Sequence, residues 1–300
     1  MQITFIIVNY LSSSYLKDLV LSLRAYIKSY SYEILVCDNS NTPSEKVNLE
    51  SFAGLFDKLI FEPNIGFVKG NNKLFEMAKG ELLVLINPDV LLKNPSLEYI
   101  FSSMLDDKNI GIAGPKLLNE DLSYQVSFTR FPKMWTTIQE HILFVKNDPY
   151  GAGLDAAKEQ NCDVIKGACL VLRKSALEGA DVFDEDFIMY SEETDLCWRV
   201  RKSGYKVKYY PQSEVIHFGG KSSSDSNAVF YITFNYFRSK LLFFYKHFSA
   251  PYSICIRIVL FISLLMKSMG MFLTGNSKKA LIFYKVFKAF FLLPYRNLKK

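Results

Sequence analysis

Apolar, strand-like segments alternate with helix-like segments through the first 115 residues, and this alternation restricts the fold more than any other feature. Strands are predicted at residues 2–8, 33–37, 58–61, 82–87 and 110–114, and helices at 14–28, 44–54, 67–79 and 95–106. Strand and helix units that alternate in this way form a mainly parallel, doubly wound sheet. We therefore predict an α/β fold whose ligands bind beyond the carboxyl ends of the strands.

A second block of elements follows from residue 163. Residues 115–160 are polar, aromatic and irregular, which predicts a loop region over the site. The elements after it are predicted as a strand at 164–172, a short helix at 174–179, a helix at 192–203 and a strand at 206–210 closed by Pro211. In the first block, the third helix is predicted to end at Gly80 in the left-handed conformation.

The tail, residues 228–300, differs from the rest of the chain in its charge. The whole chain carries a net charge of +6, and all of its 30 acidic residues precede residue 228. The tail is therefore wholly basic, and it is also rich in aromatic residues. A basic, aromatic tail predicts an anionic partner, which is either nucleic acid or a phospholipid surface.

The spacing of the tail's apolar residues favours the phospholipid surface. Its longest uninterrupted apolar run, residues 258–266, is bounded by Arg257 and Lys267 and is shorter than the roughly 20 residues that span a bilayer. We predict no spanning helix. Segments 230–248 and 281–293 instead predict amphipathic helices in the membrane interface, with no nucleic acid bound. The alternative is that these helices pack on the catalytic body or on a second subunit of a homo-oligomer.

The cysteines and the N-terminus bear on the compartment. The five cysteines show no CxxC pair or regular spacing, so neither a zinc ribbon nor a disulfide framework is predicted. The chain begins directly with a strand-like segment, without the basic and small-residue pattern of a signal peptide. We predict a cytoplasmic protein.

Polar residues that follow the predicted strands are the first candidates for a site. Asp89 in the Asn87-Pro88-Asp89 turn would project at the carboxyl edge of the sheet, where its oxygens suit Mg²⁺ or Mn²⁺ and a diphosphate. Asp38 could accept a ribose hydroxyl or a pyrimidine N–H, and backbone N–H groups of residues 64–72 could approach phosphate. Each segment could equally be an ordinary turn or helix start. Because no glycine-rich loop follows the first strand, dinucleotide-binding and P-loop folds are excluded.

The acidic cluster Ser191–Asp195 opens a predicted helix. Glu192, Asp195 and Arg199 recur on one face, which leaves Glu193 to point into the cleft as a general base. The alternative is that these carboxylates only complement the helix dipole. Trp198 and Arg199 could contact a sugar or a phosphate. His217, which precedes two glycines, could be a metal ligand or a structural residue.

These segments together resemble the inverting glycosyltransferases of family 2, in their rhamnosyltransferase-like branch. The matching residues run from 3 to about 245. They comprise 3–10, Val36-Cys37-Asp38-Asn39-Ser40, 64–72, Leu85-Ile86-Asn87-Pro88-Asp89, Lys166-Gly167-Ala168-Cys169, and 187–204 with His217. Their number and order make the resemblance specific.

The resemblance implies a GT-A fold, with a catalytic domain at 1–227 and the helical tail at 228–300. The nucleotide-sugar half is placed at about 1–115 and the acceptor half at about 116–227. Implied nucleotide-sugar residues are Asn9, Asp38, Asn64, Gly66, Phe67, Asn71, Asn87 and Asp89. Implied acceptor residues are Gly167, Ala168, Asp195, Trp198 and Arg199. Asp89 and His217 would hold Mg²⁺ or Mn²⁺, with Asn87 where many relatives carry Asp, and Glu193 of the Glu192-Glu193 pair would be the base.

The function that this implies is transfer of a sugar, with rhamnose as one candidate, from a UDP- or dTDP-sugar to a hydroxyl group. The acceptor would be a lipid-linked or growing surface polysaccharide at the inner face of the cell membrane. Two rivals are a sugar-phosphate nucleotidyltransferase and a catalytically weak membrane scaffold of the same fold. The first rival requires a glycine- and arginine-rich loop after the first strand, which residues 9–14 do not provide.

Overall fold

The computed structural model describes residues 1–145, 153–177, 181–219 and 226–292. The chain divides into two compact units. The first comprises Met1–Arg130, Gly153–Asp184 and Glu193–Gly220, and the second comprises Phe131–Ala152, Glu185–Glu192 and Lys221–Lys300. The second unit thus combines the tail with two short segments from the middle of the chain. The predicted division at residue 227 places these two segments in the catalytic domain instead.

The first unit contains the strands and most of the shorter helices. Its strands are β1 (Ile3–Asn9), β2 (Tyr32–Asp38), β3 (Lys58–Phe61), β4 (Leu82–Ile86), β5 (Val90–Leu91), β6 (Ile110–Leu118), β7 (Tyr124–Gln125), β8 (Phe128–Thr129), β9 (Gln160–Asn161), β10 (Val164–Ile165), β11 (Cys169–Arg173) and β12 (Lys206–His217). Its helices are α1 (Ser13–Tyr26), α2 (Pro43–Glu50), α3 (Phe67–Met77), α4 (Ser96–Asp106) and, from Glu193 on, α6 (Glu192–Lys202). The α/β prediction is confirmed.

The main sheet has the strand order β3-β2-β1-β4-β11-β6-β12-β5, with β7 beside β6 and β9 beside β12. Strands β3, β2, β1 and β4 are parallel, as predicted, and β12 is parallel to β6. Strand β11 is antiparallel to both of its neighbours, β4 and β6. The carboxyl ends of β1, β2 and β4 consequently lie along one edge.

Burial on both faces explains the apolar composition of the central strands. All seven residues of β1 and all five of β4 are buried. Helix α1 covers one face with Leu16, Leu19, Val20 and Leu23, which recur at helical spacing. Strands that are covered on both faces form near-continuous apolar runs rather than alternating ones.

Three local predictions are wrong. The predicted strand 164–172 is broken at Lys166-Gly167-Ala168, because β10 pairs with β8 whereas β11 joins the main sheet. The strand after α6 continues past Pro211 to His217, since the register shifts between Tyr210 and Glu214 and a proline is tolerated at such an irregularity. The element at 174–179 is a 3₁₀ turn over Lys174–Leu177, and residues 178–179 lie outside the described part.

Gly80 has a different role from the predicted one. Helix α3 ends at Met77, and Gly80 is not among the residues with positive φ. A Cβ atom at Gly80 would instead lie 2.6 Å from the backbone nitrogen of Thr4 and 2.7 Å from the carbonyl carbon of Ile3. Glycine is required here for the close approach of the chain to β1.

The second unit is helical. It contains α5 (Met134–His141), α7 (Ser226–His247), α8 (Ala250–Leu273) and α9 (Ser277–Phe291), so the two predicted tail helices are confirmed over their described residues. Helix α8 is long and apolar enough to cross a membrane by length and composition alone. This finding differs from the prediction because Arg257 and Lys267, which bound the longest apolar run, are the only charged residues among the 24 of the helix.

Candidate active site

Strand pairing brings the Asn87-Pro88-Asp89 turn next to His217. The turn joins β4 to β5, and the backbone N–H of Val90 donates to the Asn87 carbonyl over 3.2 Å. In the β5–β12 ladder, Val90 lies opposite His217. The N–H of Phe218 then donates to the Asp89 carbonyl over 3.0 Å, which fixes the two segments together.

The side chains of Asp89 and His217 face each other. Asp89 Oδ1 lies 3.5 Å from His217 Nε2, and Asn87 Nδ2 lies 3.5 Å from the same nitrogen. The second oxygen, Asp89 Oδ2, accepts the N–H of Gly219 at 3.1 Å. This backbone contact orients the carboxylate so that Oδ1 remains directed at the histidine.

The pKa of Asp89 is set by two opposing effects. Burial disfavours the charged carboxylate and by itself would raise the pKa. The hydrogen bond and the charge that His217 supplies when its ring is protonated, together with the backbone N–H of Gly219, act in the opposite direction and leave the pKa below its usual value. Asp89 is therefore an ionised, preorganised oxygen ligand at neutral pH.

The Asp89–His217 pair suits a divalent cation whose remaining coordination positions are filled by other ligands. Two cis ligands of an octahedral cation lie about 3 Å apart when each bond is about 2.1 Å, close to the 3.5 Å between Asp89 Oδ1 and His217 Nε2. Among the described residues, no cluster of three His, Cys, Asp or Glu side chains could hold a metal. Water and substrate phosphates would have to supply the remaining positions, as is usual for Mg²⁺.

Gln125 contacts the second nitrogen of His217. Its Oε1 lies 2.7 Å from His217 Nδ1, and its Nε2 donates to Asn119 Oδ1 over 2.9 Å. Gln125 belongs to β7, within residues 115–160, for which the sequence predicts an irregular loop region. No sequence signal distinguishes it, because a glutamine in a two-residue strand has no pattern to identify it.

A buried polar cluster occupies the carboxyl ends of β1 and β2. Asn9 Nδ2 donates to Asp38 Oδ1 over 2.8 Å and to Glu45 Oε1 over 3.0 Å. Asp38 Oδ1 also accepts the Ser40 hydroxyl at 2.7 Å. Glu45, which the sequence analysis missed, further accepts the N–H of Ser13 at 2.7 Å. Its position three residues after Thr42 has the pattern of a helix cap, and this pattern conceals the tertiary role.

The asparagine-rich segment 64–72 starts α3 with local hydrogen bonds. Gly66 is the residue before the helix and has a φ of 83°, and its N–H donates to Asn64 Oδ1. Asn71 Nδ2 donates to the Phe67 carbonyl at 2.8 Å. Phe67 packs against Phe183 with 5.7 Å between ring centroids. The predicted contacts of these residues with a nucleotide-sugar remain predictions.

The turn at residues 166–168 lies between the Asp89 turn and Glu193. The carbonyl of Ala168 accepts the Asn87 N–H at 2.9 Å. A Cβ atom at Gly167 would lie 3.8 Å from Glu193 Cβ, and Lys166 Nζ lies 3.9 Å from Glu193 Oε1. Gly167, Ala168, Glu193 and the Asp89 turn are therefore neighbours in the first unit.

The remaining predicted acceptor residues are engaged within the protein. Arg199 Nε donates to Asp195 Oδ2 over 2.7 Å, and its Nη2 donates to the Val182 carbonyl over 2.6 Å. Asp195 is buried, and the ring of Trp198 has Lys202 Nζ 5.7 Å from its centroid. The acceptor roles of these residues, like the roles of Glu192 and Glu193, remain predictions.

The chain matches the model of a known protein family. The model of the family described as "Glycosyl transferase family 2" matches residues 4–180, which is more than half of the chain. The matched segment includes the Asp38 cluster, the Asp89 turn and residues 166–168, and it ends before Glu193 and His217.

Characterised relatives are distant but share much of the chain. The rhamnosyltransferase WbbL of Escherichia coli is 24% identical over 222 residues, or 71% of this chain and 82% of that protein. The N-acetylglucosaminyl-diphospho-decaprenol L-rhamnosyltransferase of Mycobacterium tuberculosis is 26% identical over 147 residues, or 47% of this chain. The match spans 48% of that relative.

A solved structure shares the fold. The mannosyltransferase PcManGT of Pyrobaculum calidifontis, in complex with GDP-Man and Mn²⁺, matches with a TM-score of 0.58 and 12% identity. The match covers 97% of this chain and 87% of that one. Together with the mixed sheet and the helical extension, it confirms the predicted GT-A fold.

Proposed function

Because the chain belongs to glycosyl transferase family 2, and is therefore a sugar-transferring enzyme, we propose that it uses a nucleoside diphosphate sugar and inverts the anomeric carbon. The observation that carries the proposal is the convergence around residues 166–168. On one side of that turn lies the Asp89–His217 pair, and on the other lies Glu193. A metal-holding pair and a general base are the two parts that such a transfer requires.

The nucleoside is proposed to bind at the Asn9–Asp38 cluster. The hydrogen bonds from described residues to the Asp38 carboxylate are all accepted by Oδ1, which leaves Oδ2 for a ribose hydroxyl or a base N–H. Asn9 Oδ1 is buried without a hydrogen-bond partner among the described residues. An unsatisfied buried acceptor costs about 1–3 kcal/mol, and a donor group of the nucleoside would remove this cost.

The diphosphate is proposed to lie at Asp89. Asp89 Oδ1 and His217 Nε2 would hold Mg²⁺ or Mn²⁺. The amide nitrogen of Asn87 lies 3.5 Å from His217 Nε2, the same distance as Asp89 Oδ1. The bound cation would offset the negative charge that grows on the departing nucleoside diphosphate. The role of Asp89 Oδ2 is different, since its hydrogen bond to Gly219 keeps the carboxylate in place.

Glu193 is the proposed base. Its carboxylate takes the proton of the acceptor hydroxyl while the acceptor oxygen bonds to the anomeric carbon. The bond between that carbon and the diphosphate oxygen breaks, and its electron pair leaves with the nucleoside diphosphate. Lys166, 3.9 Å from Glu193 Oε1, places a positive charge beside this carboxylate.

Donor and acceptor are proposed from the named activities of the relatives. A rhamnosyltransferase and a decaprenol-linked rhamnosyltransferase are among them. We therefore expect a dTDP- or UDP-sugar, with a rhamnose donor tested first, and a lipid-linked or growing surface glycan as acceptor.

Helix α8 supports a membrane location for this reaction. Its exposed large side chains are all apolar and recur every three or four residues along the helix: Ile254, Ile258, Ile262, Leu265, Met266, Met269, Phe272 and Leu273. A soluble protein rarely exposes so continuous an apolar surface. We propose that this stripe lies in the cytoplasmic leaflet of the cell membrane.

The two cations of α8 are directed away from the stripe. Lys267 Nζ lies 5.5 Å from the centroid of Phe237, and Arg257 Nη2 approaches the carbonyls of Phe290 and Phe291, each at 3.4 Å. Lys278, Lys279, Lys285 and Lys288 belong to α9 and would reach lipid headgroups. Peripheral association, with the helix along the interface, therefore suits this charge distribution.

The function is tested with purified protein and a panel of UDP-, dTDP- and GDP-sugars in the presence of Mg²⁺ or Mn²⁺. We expect release of a nucleoside diphosphate from one donor and its acceleration by a polyprenyl-linked glycan. Release of pyrophosphate, or formation of it from a sugar phosphate, would indicate a nucleotidyltransferase. If no donor were consumed, and Asp89→Ala left the biological role of the gene intact, the protein would be a scaffold.

A further inference from the structure

The loop between β6 and β7 connects an exposed carboxylate to the histidine of the site. Ser123 Oγ donates to Asp121 Oδ1 over 2.6 Å, and Asn119 Nδ2 lies 2.9 Å from Ser123 Oγ. Gln125 Nε2 lies 2.9 Å from Asn119 Oδ1, and Gln125 Oε1 lies 2.7 Å from His217 Nδ1. Five side chains thus form an uninterrupted chain of hydrogen bonds.

The carboxylate at one end fixes the direction of every bond in this chain. Ionised Asp121 can only accept, so the single hydroxyl hydrogen of Ser123 must point to it. Ser123 Oγ must then accept from the amide nitrogen of Asn119, and this leaves Asn119 Oδ1 to face Gln125. Gln125 must present its nitrogen to Asn119 and its oxygen to His217. The last contact is a hydrogen bond only if Nδ1 of His217 carries the hydrogen.

The two neutral forms of His217 have opposite consequences. With hydrogen on Nδ1, the lone pair of Nε2 faces Asp89 Oδ1 across 3.5 Å, which leaves two electron-pair donors for one cation. With hydrogen on Nε2, the ring would donate to Asp89 itself and consume both ligands in a hydrogen bond. Asp89 favours the second form, whereas the amide nitrogen of Asn87, 3.5 Å from Nε2, favours the first, so a hydrogen-bond acceptor at Nδ1 decides between them.

We propose that Gln125, oriented by Asn119, Ser123 and Asp121, is a positioning residue that sets the tautomer of His217 and keeps Nε2 available to a divalent cation. The proposal rests on the proposed metal-holding role of Asp89 and His217. Outer partners of this kind typically change metal affinity by about 10- to 100-fold when they are removed. Gln125 is also tied to the strand that carries the ring, since its Nε2 lies 3.4 Å from the backbone carbonyl of His217.

The tautomer is measured by NMR of the metal-free protein labelled with ¹⁵N-histidine, at a pH where His217 is neutral. The chain has three histidines, so the His217 signals are assigned with single substitutions. We expect hydrogen on Nδ1 in the unmodified protein and a shift of it towards Nε2 in Gln125→Leu. A Mn²⁺ titration should show that the affinity for Mn²⁺ is about 10-fold lower, or lower still, in the same variant.

The controls separate orientation from folding. Gln212 lies on the strand that carries His217, but its side chain donates to Glu159. Gln212→Leu makes the same change of side chain there and should alter neither the tautomer of His217 nor the affinity for Mn²⁺. Gln125→Glu keeps an oxygen acceptor for Nδ1 and should retain the tautomer. Ser123→Ala, in the exposed loop, interrupts the chain two links away and should give a smaller shift; it replaces Gln125→Leu as the test if that variant does not fold.

The proposal is overturned if the unmodified protein carries hydrogen on Nε2, or if Gln125→Leu changes neither tautomer nor Mn²⁺ affinity. It is also overturned if the tautomer changes while Mn²⁺ affinity does not. Because the NMR measurement needs neither donor nor metal, its result is independent of whether sugar transfer is observed.

Discussion

The two glutamates at the start of α6 have different surroundings. Glu193 lies beside Lys166 and Gly167 in the first unit. Glu192 ends a segment of the second unit in which Tyr190 and Ser191 have φ angles of 67° and 62°. Left-handed backbone at two consecutive non-glycine residues is uncommon and marks a conformation imposed by surrounding structure.

Because glutamine has nearly the same size and shape as glutamate, Glu193→Gln should remove the base with little change in the structure of the site. We expect kcat to fall by about 10²- to 10⁴-fold, the usual contribution of general base catalysis, with the affinity for the donor unchanged. Steady-state kinetics and donor titration measure the two quantities. Glu192→Gln is the matched control, and a larger loss in Glu192→Gln than in Glu193→Gln would transfer the role of base to Glu192.

Single residues were predictable from sequence where their position in an element was decisive. Asp89 follows a buried strand, so its place at the carboxyl edge could be deduced before the structure was known. Gln125 could not be found in this way, because its importance comes from Asn119 and His217, and His217 is 92 residues distant. Glu45 was missed because a helix-capping pattern accounted for it locally.

A buried ionic group joins α5 to α7. His141 is fully buried, with Lys240 Nζ 3.1 Å from its Nε2 and Ser263 Oγ 3.3 Å from its Nδ1. Burial, together with the charge of Lys240, lowers the pKa of His141 to about 4, although Glu140 acts in the opposite direction. The helices of the second unit thus enclose a neutral histidine.

This depressed pKa gives a pH dependence to stability. Between pH 6.5, the ordinary pKa, and about 4, the unfolded chain binds a proton at His141 that the folded protein does not. Stability should consequently decrease as the pH falls through this window, by about 1.5 kcal/mol between pH 6.5 and 5. Urea unfolding measures it. In His141→Gln, the free energy of unfolding should depend less steeply on pH. An equal slope in both proteins would show that His141 does not cause the dependence.

The close approach of the chain to β1 at Gly80 contributes to stability in a way that can be measured. Gly80→Ala should destabilise the protein by about 1–3 kcal/mol, the usual cost of overpacking, because the new Cβ meets the backbone of β1. Gly54→Ala is the control, since a Cβ there meets no atom within 4 Å. Equal urea midpoints for the two variants would show that the backbone around Gly80 relaxes without cost.

Elements were predicted best where burial produced a clear apolar pattern. The strands β1 to β4 and the helices between them lie close to their predicted positions. The break at residues 166–168 was not visible, because the sequence on both sides is apolar and only the choice of pairing partner separates β10 from β11. The extension of β12 beyond Pro211 likewise depends on a register shift against β6.

The basic tail and the apolar stripe of α8 together predict that the protein binds to lipid. Ile258→Glu with Ile262→Glu should abolish co-flotation with vesicles of anionic phospholipid, because two charges would enter the apolar leaflet. Leu21→Glu with Val47→Glu, at equally exposed apolar residues of α1 and α2, should leave flotation unchanged. Equal flotation of both double variants would place the lipid contact elsewhere.

We propose that this glycosyltransferase needs the Asp89 carboxylate to hold a divalent cation on its donor. The most direct measurement is the rate of nucleoside diphosphate release, as a function of Mn²⁺ concentration, for the unmodified protein, Asp89→Asn and Asp18→Asn. Asp18 is an exposed carboxylate of α1, so its variant controls for the change of charge. We expect a Mn²⁺-dependent rate in the unmodified protein and in Asp18→Asn, and a rate at least about 100-fold lower in Asp89→Asn at saturating Mn²⁺. A rate that is independent of Mn²⁺, or equal in Asp89→Asn and Asp18→Asn, would show that Asp89 does not hold a cation needed for transfer.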